Sequence, residues 1–304
     1  MKYILNFILL VATITISGLD IKAQLPQEII EKAQLPPEVL KNLRPVDMPM
    51  TWDKRNLLDT SANEFIYYHF RYDPVSDLAM DSEEILQIAP FISRYTDYGK
   101  YRRDSLSYEC AKNLTFMMFS EYSRIVNQWP IGLKYSVYTH HNKEELEVTD
   151  AISLNYFRYY EPVPDFKWTL HNDSIRQIGP YTCSMATTSF RGRNWTAWYT
   201  PEIPIPQGPW KFSGLPGLIV MVRDTDGEHI FKLLRTHTAS NPVLSPDKLY
   251  SRTERTTFNA RKREYDADPI KAWEGTALMP TDANGNPVYP SKDIKRFVNP
   301  IEKE

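Results

Sequence analysis

Residues Phe166 to Thr200 read FKWTLHNDSIRQIGPYTCSMATTSFRGRNWTAWYT. In the last arm Trp195, Ala197 and Tyr199 alternate with Asn194, Thr196 and Trp198. A period of two sends alternate side chains to opposite faces of a strand. Arg191-Gly192 stands where a tight hairpin needs positive φ, and Asn172-Asp173 offers a second tip of the same kind. The stretch therefore predicts two antiparallel hairpins in series.

Working outward, Gly208 to Val222 reads GPWKFSGLPGLIVMV, with three glycines and two prolines in its first ten positions. Leu215-Pro216-Gly217-Leu218 has proline second and glycine third, the pattern of a type II turn. A buried strand and its returning partner, EHIFKLLRTH, follow. Phosphate loops need Gly-x-x-x-x-Gly-Lys-Ser/Thr, or Gly-x-Gly-x-x-Gly opening a helix, and neither occurs here. Upstream, EFIYYHFRYDPV and EEILQIAPFISRYTDY predict an antiparallel pair, and LKYSVYTHH and LNYFRYYEPV predict further strands. Leu106, Cys110, Leu114, Met117, Met118 and Tyr122 fall on one face of a helix near 104–127. A polar stretch ending at Asp268-Pro269 predicts one or two short helices. The fold class is mainly β with a few helices (α+β), a curved antiparallel sheet or open barrel over 61–275. A tail over 276–304, rich in proline, asparagine and glycine, is expected to lie loosely on the surface.

Lys2 and the apolar stretch from Tyr3 to Gly18 resemble a secretory signal over residues 1–23, too short to span a bilayer comfortably. No cysteine stands near the cleavage point, so lipid attachment has no acceptor; the mature chain is expected to be periplasmic or exported and soluble. An N-terminal arm over 24–60 follows, in which Ala23-Gln24-Leu25-Pro26 recurs as Ala33-Gln34-Leu35-Pro36, each proline able to open a brief helix. The chain carries 36 Lys and Arg against 38 Asp and Glu, so no global field favours nucleic acid. Export would let Cys110 and Cys183 pair, though both also read as small buried residues.

The run from Trp168 to Val220 resembles the GLPGLI family of exported bacterial proteins. The hexapeptide is intact from Gly214 through Leu215, Pro216, Gly217 and Leu218 to Ile219. Ile178-Gly179, Tyr181, Cys183, Phe190-x-Gly192-Arg193 and Ala197-Trp198-Tyr199-Thr200 also match, while Ala89 stands where glycine is common. The resemblance implies a diderm envelope setting, often beside TonB-dependent outer-membrane transporters, and carries over no catalytic residue. Long antiparallel strands in an exported protein also look like lipoprotein-carrier folds, with an apolar concavity for an acyl chain or peptide.

Residue patterns for common chemistry are absent: no His-Glu-x-x-His, no Gly-x-Ser-x-Gly and no Cys-x-x-Cys. Neither a cofactor nor a metal is implied. His140-His141 would face opposite ways on a strand and bind no metal together. The most suggestive polar group is Arg191 and Arg193 beside Trp195 and Trp198. Two guanidiniums could clamp a carboxylate or phosphate against indole walls; equally, Arg193 pairs with an acid such as Glu202, and the tryptophans are core. Asp224 and Asp226 read as solvated turn carboxylates. Three functions remain: a non-enzymatic binding or carrier protein for a hydrophobic or peptide-like ligand, an assembly protein of an envelope complex, or a hydrolase with an unfamiliar site.

Overall fold

In the computed structural model the described residues are 48–271 (without the side chain of residue 172), 274, 279, 286–289 and 295–303. The expected signal peptide, and the arm as far as residue 47, lie outside them. The described residues belong to two compact units. In the smaller, an extended strip meets the start of a helix, with Met50 N donating to Met117 O and Phe119 N to Met48 O, both at 2.8 Å. The larger comprises Trp52–Thr115, Val126–Pro269 and the described part of Lys295–Glu304.

Two meanders build its sheet. The first runs through β2 (Asn63–Asp73), β3 (Leu78–Ile88), β4 (Ile92–Asp97), β5 (Ser136–His140), β6 (Glu145–Ile152) and β7 (Asn155–Pro162). The second runs through β8 (Thr169–Ile178), β9 (Tyr181–Phe190), β10 (Arg193–Thr200), β11 (Leu218–Asp224) and β12 (His229–Thr238). Antiparallel pairing of β2 with β12 joins them, and the short β14 (Ser251–Arg252) adds in parallel beside β7. A separate pair forms from β1 (Arg55–Thr60) and β13 (Pro242–Pro246). The twelve strands are not closed into a barrel. One apolar cluster nevertheless draws Tyr67, Val148 and Tyr159 from the first meander together with Ala186, Trp195 and Phe231 from the second. The sheet therefore bends around a shared core, as the mainly β reading with a curved antiparallel sheet expected.

The hairpin tips divide. Arg191 (φ 49) and Gly192 (φ 78) form the expected two-residue turn between β9 and β10. Asn172-Asp173 does not turn the chain. It lies within β8, whose register shifts between His171 and Ile175, and the bend falls at Gly179 (φ 57) instead. A bulge absorbs the extra polar residues without ending the strand. The helix expected near 104–127 is two: α1 (Tyr98–Lys112) and α2 (Phe119–Val126). Asp97 caps α1 early, accepting from Lys100 N at 3.0 Å. Leu114 in the left-handed region (φ 49), with Thr115 N on Cys110 O at 2.8 Å, ends it. Leu114 is consequently exposed and not on a buried helix face. A third helix, α3 (Arg255–Ala267), follows β14.

Leu215 to Leu218 also bends differently from a type II turn. Gly217 N bonds Leu215 O at 2.8 Å around Pro216, while Leu218 N reaches Ile203 O at 2.9 Å. Gly217 (φ +148) presses so closely on the end of β10 that a Cβ would meet Thr200 O at 2.1 Å. Leu215, Leu218 and Ile219 are fully buried, and Ile219 O accepts from Tyr67 OH at 2.8 Å. The motif is thus a clasp between loop and core. Gly217→Ala should cost about 2 kcal/mol or more, since backbone must move as well as adopt an unfavourable φ. Gly179→Ala, where a Cβ meets nothing within 4 Å, should cost only about 1 kcal/mol. Urea denaturation of the two variants checks the difference.

Candidate functional site

Strand alternation assembles the site. His69 and Arg71 on β2 share a face, and pairing sets Arg71 opposite His229 on β12 and His69 opposite Ser82 on β3. Glu84 lies two residues beyond Ser82 on the same face. His69, Glu84 and His229 are buried. His69 Nδ1 meets Glu84 Oε1 at 2.6 Å, and His69 Nε2 meets His229 Nδ1 at 3.2 Å. Glu84 also accepts from Ser82 Oγ at 3.2 Å and Tyr135 OH at 2.9 Å. The last nitrogen, His229 Nε2, has no hydrogen-bond partner of ordinary geometry, only the nearby Asn299 backbone.

Electrostatics fix the charge states. Burial pushes His69 down, against the pull of Glu84. Burial, then His69, Arg193 and Arg71, holds His229 well below the usual histidine range. Burial alone would raise Glu84, but His69, Tyr95 and Arg71 outweigh it and hold the carboxyl low. Burial and Glu84 raise Tyr135 well above an ordinary phenol. At neutral pH a carboxylate therefore faces two neutral imidazoles and a protonated tyrosine.

Arg71 is buried with no carboxylate at ion-pair distance among the described residues. Its Nη2 reaches Ser82 Oγ at 3.4 Å, which in turn leads to Glu84, and its Nε has no acceptor. Arg71, His69 and His229 line a cavity of about 400 Å³. Val137, Val148, Ala151, Tyr159 and Phe258 give it apolar walls, with Lys134, Asp150 and Lys262 among its polar lining. Burial pushes Asp150 up to about 6, against Lys262.

The chain's C-terminal segment forms another wall. Phe297 to Glu302 line the cavity, and the described part of the tail is not loose. Arg193 donates from Nε to Ile301 O at 3.0 Å and from Nη2 to Pro300 O at 2.8 Å and to Asn299. Its Nη1 bridges Asp224 at 2.5 Å and Glu228 at 2.6 Å. Glu302, also buried, takes Lys211 at 2.5 Å and Arg191 and Arg255 at 2.8 Å each. Lys211 and Arg191 also hold Glu161, each at 2.6 Å. Against the opposing effect of burial, Lys211 and Arg191 lower Glu302 to about 2.

The expected arginine clamp thus exists but faces inward. Arg191 and Arg193 grip the protein's own carboxylates and carbonyls. Glu202 is not the partner of Arg193; it accepts from Thr182 N at 2.8 Å. Asp224 is buried rather than solvated. Trp195 is core, 4.8 Å from the Phe212 ring, while Trp198, three residues on and so on the opposite face, lies under Arg176. The two tryptophans do not share a site. Cys110 and Cys183 are unbonded and buried, and burial pushes the Cys183 thiol up to about 11. Carboxylate oxygens of Asp224, Asp226 and Glu228 lie within 4.8 Å of one another, but Arg193 already pairs with two of these groups. Sequence reading missed His69, Arg71, Glu84, His229 and Glu302. A signal did exist in YYHFRYD, where His69, Arg71 and Asp73 alternate on a strand face that aromatic content marks as buried.

Residues 191–221 match a family described as a protein of unknown function (Porph_ging). No curated protein matches the chain. Among solved structures, PNGF-II in its P21 crystal form is similar over 68% of this chain and 34% of its own, at 10% identity and a TM-score of 0.44. The chain thus spans about a third of PNGF-II. An uncharacterized conserved protein from Thermus thermophilus is similar over 75% of this chain and 98% of its own, at 9% identity and a TM-score of 0.33. Among the described residues no helix is long and apolar enough to cross a membrane.

Glu302→Gln should destabilise the fold by about 3 kcal/mol at pH 7, because three cations would keep only Glu161 as a charged partner. With its pKa lowered to about 2, the stabilisation from Glu302 is present above the ordinary carboxyl pKa and is lost as pH falls through about 2. Denaturant titrations across pH check both statements. The histidine pair acts in a higher window. Imidazoles held neutral in the fold protonate first in the unfolded chain, so stability falls as pH drops below about 6.5. Asp150, raised to about 6, has the opposite sign, its stabilisation being lost as pH rises through that value. In an Asp150→Asn background the histidine slope should steepen between about pH 6.5 and 5, as read by urea midpoints.

Proposed function

We propose that this chain is an exported binding protein of the GLPGLI type whose cavity takes a small amphiphile, with the negative end against Arg71 and the apolar body along the opposite walls. The observation that carries this reading is a buried guanidinium with no carboxylate at ion-pair distance among the described residues, lining an apolar-walled space. A buried cation is costly unless an anion meets it, and cavities of this size suit small molecules. The envelope setting rests on the resemblance in residues 168–220 and on the N-terminal stretch. Delivery to or from an outer-membrane transporter would suit such a carrier.

Titration calorimetry with dodecanoate and dodecanol tests the proposal. Dodecanoate should bind one to one, dodecanol at least tenfold more weakly, and Arg71→Gln should lose at least tenfold for dodecanoate while keeping its circular dichroism spectrum. Equal binding of the acid and the alcohol, or an Arg71→Gln variant with full affinity, would reject it.

A further inference from the structure

We infer that the ligand's head group carries, beside its negative charge, an O–H or N–H that donates to His229 Nε2. The inference rests on the binding reading above and narrows the ligand to carboxylates with a neighbouring donor, such as a 3-hydroxy acid or an N-acyl amino acid.

Proton placement in the buried relay is a chain of forced choices. Glu84 receives hydrogen bonds from Ser82 Oγ and Tyr135 OH, and as a carboxylate it has no proton to give. His69 Nδ1, 2.6 Å from Glu84 Oε1, must therefore be the donor. A neutral imidazole carries one N–H, so His69 Nε2 is an acceptor. The proton between His69 Nε2 and His229 Nδ1, 3.2 Å apart, must then belong to His229. That leaves His229 Nε2 as a lone pair, and this atom has no hydrogen-bond partner of ordinary geometry, with only the Asn299 backbone beside it.

An anion set against that lone pair would be repelled, whereas Arg71 on the neighbouring strand offers donors and lacks an acceptor at Nε. The ladder places Arg71 directly opposite His229. Side chains so paired start about 5 Å apart at Cβ. An acceptor for Arg71 and a donor for His229 can therefore be carried by one ligand head group. A hydroxyl two bonds beyond the carbon that bears the carboxylate, or the amide N–H of an N-acylglycine, meets this demand. A ketone at the same place does not, because it would set a lone pair against a lone pair. A buried site built to accept a hydrogen bond rejects analogues that lack the donor.

Two measurements test the inference. The first compares 3-hydroxydodecanoate, N-decanoylglycine, dodecanoate and 3-oxododecanoate by titration calorimetry. At least one of the two donor-bearing acids should bind tenfold or more tighter than dodecanoate, and 3-oxododecanoate should bind no better than dodecanoate. Which donor-bearing acid wins distinguishes a hydroxy acid from an acylated amino acid. Equal affinity across the four would overturn the inference while leaving the binding reading intact; no binding by any would remove both. The second measurement needs neither ligand nor variant. Nitrogen-15 spectra of the histidine rings at pH 7 should show His229 protonated at Nδ1 and pyridine-like at Nε2. A proton on Nε2, directed at the Asn299 backbone, would overturn the inference whatever the calorimetry gives.

Discussion

The pairing of β2 with β12 is the constraint on which the rest depends. It joins two meanders that are each continuous in sequence, and its register sets Arg71 against His229 and His69 against Phe231. Because side chains alternate, a slip of one residue would send the polar set to the other face of the sheet. The same pairing makes the core continuous. Tyr67 donates to Ile219 O in the clasp after the glycine-rich loop, while the Phe231 ring stacks on His69 at 3.8 Å. Apolar packing and polar site are therefore two products of one ladder.

Buried charge divides the interior into a satisfied part and an open part. Arg193, Arg191, Lys211 and Arg255 meet Asp224, Glu228, Glu161 and Glu302, and through these contacts the final residues are fixed as a cavity wall. Buried pairs of this kind need good geometry and further hydrogen bonds to offset desolvation, which Asn299, Asn259 and the 300–301 carbonyls supply. Arg71 and His229 stand apart from that completeness. Both residues line the cavity, and each keeps a buried nitrogen without a hydrogen-bond partner of ordinary geometry, which is the feature the proposed ligand would answer.

Local features were legible in the sequence, and distant ones were not. The turn at Arg191-Gly192 and the alternation along β10 follow from a few neighbouring residues, as does the strand after Gly217. Gly217 itself was readable as a special position, but its reason, contact with Thr200, comes from elsewhere in the chain. The end of α1 turned on Leu114 taking a left-handed conformation that apolar periodicity does not encode. Arg193 looked like a ligand clamp because its partners Asp224 and Glu228, and Asn299 to Ile301, lie 31 to 108 positions away. The candidate site was hidden for the same reason: His69 and His229 are 160 residues apart, and neither stands in a recognisable motif.

The proposed binding mode sets the charged end of an amphiphile on Arg71, in the cavity beside the histidine pair. A crystal structure of the protein grown with 3-hydroxydodecanoate decides the matter. The carboxylate should lie on Arg71, the hydroxyl on His229 Nε2 and the alkyl chain along Val137, Val148 and Phe258. Electron density for the acid elsewhere on the molecule, with Arg71 unliganded, would contradict it.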